Sequence, residues 1–209
     1  MIAYLILFSF LQCCNWQTVQ PNAQVKTYFP NKTGSSWQYE VYDSSRIRDH
    51  AGFPRSYNVT VTIAGTKIMA DGRPASIWLY QYPWGEDTGY LRIDGDTVKV
   101  YDQVYSATAR GLLFPRQVWL PPFKLNDRWA GKLLYTDSFH IVDQSAVMTP
   151  AQTFTGCFTI YHYYRGPNIE YKDRYWFKPY TGMVKIYYHQ YSLGILSVQL
   201  WQLKKYSFH

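Results

Sequence analysis

The chain has 209 residues, 47% of them apolar and 17% charged, which excludes an intrinsically disordered protein and allows one domain with a sizeable core. Its formal charge of +7 comes from Lys and Arg spread singly along the sequence, with Lys204-Lys205 the longest run. That pattern argues against a nucleic-acid interface and fits weak attraction to an anionic envelope surface instead.

In chain order, the first feature is the uncharged, almost wholly apolar run from Ile2 to Leu11. It is too short to cross a bilayer, which takes about 20 residues, but it suits the apolar centre of a secretory signal. Leu11-Gln12-Cys13-Cys14 follows and resembles a bacterial lipobox, in which a Leu stands three residues ahead of the cysteine that is acylated. The resemblance implies a signal peptide over 1–13, Cys14 as the lipidated first residue of the mature protein, and a linker over 14–27. The membrane would then be a partner through a lipid anchor. The alternatives are a cleaved signal with incidental cysteines, giving a soluble secreted protein, or a core strand. No Lys or Arg precedes the apolar run, and a start upstream of Met1 would supply that charge.

Over 28–209 apolar and polar residues alternate with period two, the signature of half-buried strands. Trp37, Tyr39 and Val41 alternate with Gln38 and Glu40, and Tyr57, Val59, Val61 and Ile63 alternate with Asn58, Thr60 and Thr62. Over 77–82, Ile77 and Leu79 share one face while Trp78, Tyr80 and Tyr82 share the other. Further candidate strands cover 90–93, 97–101, 139–142, 154–164, 171–178, 183–190 and 195–203. Turns are expected at Asp71-Gly72, Gly85-Glu86-Asp87, Asp94-Gly95-Asp96, Gly166-Pro167-Asn168 and Leu193-Gly194. Aromatic residues make up 19% of the chain and suit pleated surfaces. No amphipathic helix stands out; 106–113 allows a turn or two before Gly111 and Pro115 intervene. The expected fold is all-β, one antiparallel meander of about ten strands forming a barrel, half-barrel or sandwich.

Two segments echo one another: Pro30-Asn-Lys-Thr-Gly34-Ser-Ser-Trp37 and Pro122-Phe-Lys-Leu-Asn126-Asp-Arg-Trp129. Gly and Asn, at the shared fifth position, best tolerate a left-handed backbone. Both segments are expected to bend the chain and seat a Trp at the rim of the core.

The stretches Gly34-Ser-Ser-Trp37-Gln-Tyr39, Thr149-Pro-Ala-Gln-Thr-Phe154 and Trp176-Phe-Lys-Pro179-Tyr-Thr-Gly182-Met-Val184-Lys185 together resemble a broad group of uncharacterised bacterial envelope proteins and lipoproteins. Members of that group carry P-x-x-x-G-x-x-W-x-Y, V-P-A-G-x-F and W-x-x-P-G-V-G-x-V-K motifs. The resemblance covers about Tyr28 to Leu203. It implies an antiparallel sheet curled like the lipoprotein carrier LolA, with an open concave face and a place in the cell envelope, periplasmic or outer-membrane. It transfers no activity and no functional residue.

Catalytic chemistry finds little support in the residues. Cys157 and His162 differ by an odd number and therefore face opposite ways in an unbulged strand. Three cysteines are too few for a disulfide scaffold. The histidines form no H-x-H or H-E-x-x-H metal motif, and no nucleophile elbow or phosphate loop is present. The expectation is a non-enzymatic protein with no catalytic residue, metal or cofactor. The aromatic excess is the functional lead. Trp78, Tyr80, Tyr82 and Tyr187 are the candidate binding residues for a lipid or other apolar small molecule in the concavity. The alternatives are glycan binding by exposed Trp and Tyr, an envelope scaffold, and tyrosines that cover the sheet without any ligand.

Overall fold

The computed structural model describes residues 23–45, 55–102, 115–131 and 136–209. The apolar leader, Cys14 and the 106–113 segment lie outside these residues. One short helix, α1 (Ala23–Tyr28), precedes strands β1 (Ser36–Asp43), β2 (Ser56–Ile68), β3 (Pro74–Tyr82), β4 (Gly85–Asp94), β5 (Thr97–Tyr101) and β6 (Gln117–Trp119). The second half contributes β7 (Arg128–Ala130), β8 (Thr136–Met148), β9 (Thr153–Gly166), β10 (Ile169–Lys178), β11 (Gly182–Ser192) and β12 (Ile195–Ser207).

These twelve strands form one sheet in the order β6-β5-β4-β3-β2-β1-β12-β11-β10-β9-β8-β7, every pair antiparallel. The chain starts at the centre with β1, meanders outward to β6, crosses to the far edge, and meanders back until β12 pairs with β1. The sheet does not close into a barrel, because β6 and β7 do not pair. It curls enough that the edges meet through side chains. Trp129 Nε1 on β7 donates to the Val118 carbonyl on β6 at 2.7 Å, and the Trp119 and Trp129 rings lie 6.4 Å apart. The open half-barrel is therefore the outcome among the expected alternatives.

Period two decides which residues face inward. On β1 the buried set is Trp37, Tyr39 and Val41, and on β2 it is Tyr57, Val59, Val61 and Ile63. From the other half Phe139, Ile160, Tyr175, Phe177, Val184, Ile186, Trp201 and Leu203 close over the same core. The helix belongs to that core as well, although its residues 23–27 fall in the stretch read as a linker. Val25 is fully buried, and the Tyr28 ring stacks on Phe177 at 5.5 Å. Six residues are too few to show a helical period, which needs a window of about 11 or more.

The ten expected strands all form, and the two missed ones are the three-residue edges β6 and β7, too short to alternate visibly. One turn moves: the chain reverses at Pro83-Trp84, and Gly85–Asp87 open β4 instead of forming the turn. The echo between the two halves is repeated bond for bond. Gly34 (φ 90°) and Asn126 (φ 70°) are both left-handed. Gly34 N and Asn126 N donate to the carbonyls of Ile63 and Ile141, whose amides donate back to Ser35 and Asp127. Each accepting isoleucine precedes a bulge in its strand. A Cβ at Gly34 would also lie 3.1 Å from the His209 ring. Gly34→Ala is accordingly expected to cost about 1–2 kcal/mol in urea denaturation. Asn126→Gly should stay within about 0.5 kcal/mol, since glycine accepts the same backbone.

The motif residues behind the family resemblance serve this architecture. Trp37 Nε1 donates to the Thr181 carbonyl at 2.7 Å, and the Gly182 Cα faces the Trp37 ring, so the first and third motifs meet. Ala151 N of the middle motif donates to the Leu203 carbonyl at 3.0 Å.

Candidate functional site

The curl leaves an unfilled space between its two halves. Its deep part is an apolar chamber of about 90 Å³, walled by Trp37, Trp78, Trp119, Tyr175 and Ile186 among others. Its outer part is a polar vestibule of about 340 Å³, bounded by Asp87, Asp102, Arg116, Asp173, Gln190 and Gln199 together with several tyrosines. Tyr80, Gly89, Arg116, Gln117, Tyr188 and Trp201 line both, so the two adjoin.

Strand register explains who lines it. Trp78 pairs with Ile63 and Tyr80 with Val61, so Trp78, Tyr80 and Tyr82 all fall on the inner face. The Trp78 ring stacks on Trp37 at 5.2 Å, and Tyr82 meets Trp201 edge to face at 6.3 Å. These three expected binding residues are thus brought together. Tyr187 is not among them. It pairs with Arg174 and Leu200 on the outer face, while Tyr188, one residue on, takes the inner position. Tyr187 stands between the inward-facing Ile186 and Tyr188, while Met183, beyond a register shift in β11, lines the chamber, and alternation alone does not say which face of a doubly apolar strand turns to the core.

The polar floor of the vestibule holds an arrangement that the sequence reading missed. His162 on β9 is buried, with its ring stacked 4.3 Å over Phe139. Its Nε2 lies 3.0 Å from Asp137 Oδ1 on β8, and its Nδ1 lies 3.4 Å from Asp173 Oδ2 on β10. Asp173, 1% exposed, also accepts from Gln190 Nε2 at 2.9 Å, from the His189 amide at 3.1 Å and from the Tyr175 hydroxyl at 3.4 Å. Gln117 of β6 donates to Tyr175 at 2.8 Å, which ties the first half of the sheet to the cluster in the second. Burial opposes charge on His162, but the Asp137 and Asp173 carboxylates outweigh it and raise its pKa above the ordinary value. Gly131 makes room for this: a Cβ there would occupy the space of the Asp137 carboxylate. A signal was present in the sequence. Asp173 alternates with Tyr171, Tyr175 and Phe177, so it had to face the core and had to find a partner there.

Five phenols of the cavity lining are held neutral. Burial raises Tyr39, Tyr80, Tyr175 and Tyr188, and pushes Tyr82 up to about 12. Cys157 stands apart from the cluster. β9 pairs without a break of its own from Cys157 to Arg165, so parity holds and His162 points away from it. The thiol is fully buried, raised by burial to about 11, and lies 3.4 Å from the Phe154 carbonyl. Among the described residues no group of three or more His, Cys, Asp or Glu is placed to hold a metal ion.

Two solved structures resemble the chain. One is a candidate exported protein with a YmcC-like fold from Bacteroides fragilis, 13% identical with a TM-score of 0.49, over 87% of this chain and 99% of that one. The other is a candidate lipoprotein from Parabacteroides distasonis, 14% identical with a TM-score of 0.41, over 87% of this chain and 98% of that one. No family model and no curated protein matches the sequence.

Proposed function

We propose that this is a lipid-anchored or secreted envelope protein that binds a compact small molecule inside its curled sheet and performs no chemistry on it. The observation that carries the binding reading is an apolar chamber that shares its lining with a polar vestibule, a combination suited to holding an orientated ligand. The size of the chamber narrows the apolar-ligand reading. At about 90 Å³ it is well below the roughly 300–1,000 Å³ of sites that engulf a drug-sized molecule. A long acyl chain does not fit; a short apolar group does. The non-catalytic reading is supported by His162, whose two ring nitrogens both face carboxylates and are not free to take a proton from a substrate. The envelope reading rests on the apolar run over 2–11 and the lipobox-like Leu11–Cys14 stretch.

Mass spectrometry of the full chain extracted from membranes tests both halves. The denatured mass should exceed that of the chain from Cys14 by an acyl adduct, which Cys14→Ser abolishes. The native mass should exceed the denatured one by a small non-covalent ligand. A clean unliganded native mass counts against the pocket, and an unmodified Cys14 counts against the anchor.

A further inference from the structure

Resting on the pocket reading, we infer that the occupant is a neutral hydroxylated ring, a saccharide unit, carrying a short apolar substituent that enters the chamber. The charges of the vestibule select against ionic headgroups. Asp87, Asp102 and Asp173 line it, and the one arginine among its described lining residues, Arg116, lies 3.1 Å from Asp102. His162 is enclosed by Asp137 and Asp173. Among the described residues the cationic groups are thereby matched by carboxylates, with carboxylate charge in surplus, so a phosphate, sulfate or carboxylate headgroup meets repulsion. A ligand ammonium would in turn face the Arg116 guanidinium.

The uncharged groups suit hydroxyls. Tyr80, Tyr82 and Tyr188 line the vestibule, and their phenol groups hydrogen-bond no described residue. Because burial raises all three, each remains an O–H that both donates and accepts across physiological pH. Carboxylates beside them accept only, and the Gln190 and Gln199 amides, which already donate to Asp173 and Asp43, each keep a second N–H and a carbonyl lone pair. A sugar ring presents several hydroxyls, each able to donate and accept, around an apolar C–H face. Trp201 stands at the junction, its ring near-perpendicular to those of Tyr82 and Tyr188 at 6.3 and 6.1 Å. Gly89, which lines both spaces, has no side chain of its own, and the chamber is ringed by Trp37, Trp78 and Trp119.

The test is ligand-observed NMR on the full chain, with butyl and methyl glycosides of glucose, galactose, mannose and N-acetylglucosamine, plus butanol and butyl phosphate. At least one butyl glycoside should bind saturably, tenfold or more tightly than both its methyl counterpart and butanol, and butyl phosphate should not compete. Tyr80→Phe and Tyr188→Phe, which remove only unpartnered hydroxyls, should weaken that binding fivefold or more. Tyr82→Phe serves the same purpose if either inner variant folds poorly. Butanol binding as tightly as every glycoside, with the Phe variants unchanged, would overturn the saccharide assignment while leaving the pocket intact. Saturable binding by butyl phosphate at equal strength would overturn it as well. Failure of all these probes, together with an unliganded native mass, would sink the pocket reading too.

Discussion

Trp37→Ala is expected to lower the free energy of unfolding by about 4 kcal/mol, the middle of the range for removing a large core aromatic. Trp37 is 2% exposed, stacks on Trp78 at 5.2 Å with an interplanar angle of 15°, and meets Phe208 edge to face at 5.7 Å. The void would add to the apolar chamber that Trp37 and Val61 already line, and Val59 and Leu203 are held in the core on neighbouring strands. Trp37→Phe separates the ring from its hydrogen bond. It keeps most of the stacking but leaves the carbonyl of Thr181, a buried residue, without its 2.7 Å donor, at a cost of about 1–3 kcal/mol. Urea denaturation at constant m-value reads both numbers. A loss under about 1 kcal/mol for the alanine variant would mean that the first and third motifs do not meet through this ring.

Stability should fall as pH rises above about 6.5, and the buried histidine should be the reason. The folded-state pKa of His162 is raised, so the proton is held more tightly in the folded chain than in the unfolded one. Below the unfolded value of about 6.5 both states carry the proton and the contribution is complete. As pH climbs from there to the folded pKa, the unfolded chain sheds its proton first, and stability is lost at up to about 1.4 kcal/mol per pH unit. Above the folded pKa the contribution is gone. His162→Gln should flatten this part of the profile, and Gly131→Ala should weaken it by displacing the Asp137 carboxylate. Asp173→Ala, which strips His162, Gln190, Tyr175 and the His189 amide of one acceptor, should cost about 3–5 kcal/mol. Urea melts at intervals from pH 5.5 to 9 give the slopes. A wild-type profile parallel to that of His162→Gln would refute the assignment.

Much of the fold was legible in the residues because it is carried by local chemistry. Alternation places Trp37, Tyr39 and Val41 inward on β1, and Tyr57 to Ile63 inward on β2, without reference to any other strand. Turn residues mark most of the reversals. Gly72, Gly95 and Asn168 all adopt the positive φ that their residue types favour. The left-handed pair Gly34 and Asn126 was readable from two short stretches alone, since only residues tolerant of that backbone stand at the bend. Edge strands of three residues, a six-residue helix and the reversal at Pro83-Trp84 carry too little pattern to be read this way.

The binding residues divide along the same line. Trp78, Tyr80 and Tyr82 share a face of one strand by parity, and the sequence was enough to group them. Which face of β11 turns inward was settled only by pairing with β10 and β12, which puts Tyr188 in the cavity and Tyr187 outside. The polar cluster needed more still. His162 and Asp173 are cross-strand partners on β9 and β10, and Asp137 reaches the same ring from β8. An interaction among residues 25 and 11 positions apart in the chain leaves no local trace, because nothing in a strand's own sequence states its neighbour's register. By itself the sequence determined an antiparallel sheet with an aromatic inner face. The tertiary structure alone decided that the sheet curls without closing, that its halves are stitched through Gln117 and Tyr175, and that a polar mouth adjoins an apolar chamber. Those features depend on how far the twist accumulates over twelve strands and on which side chains then meet across the gap.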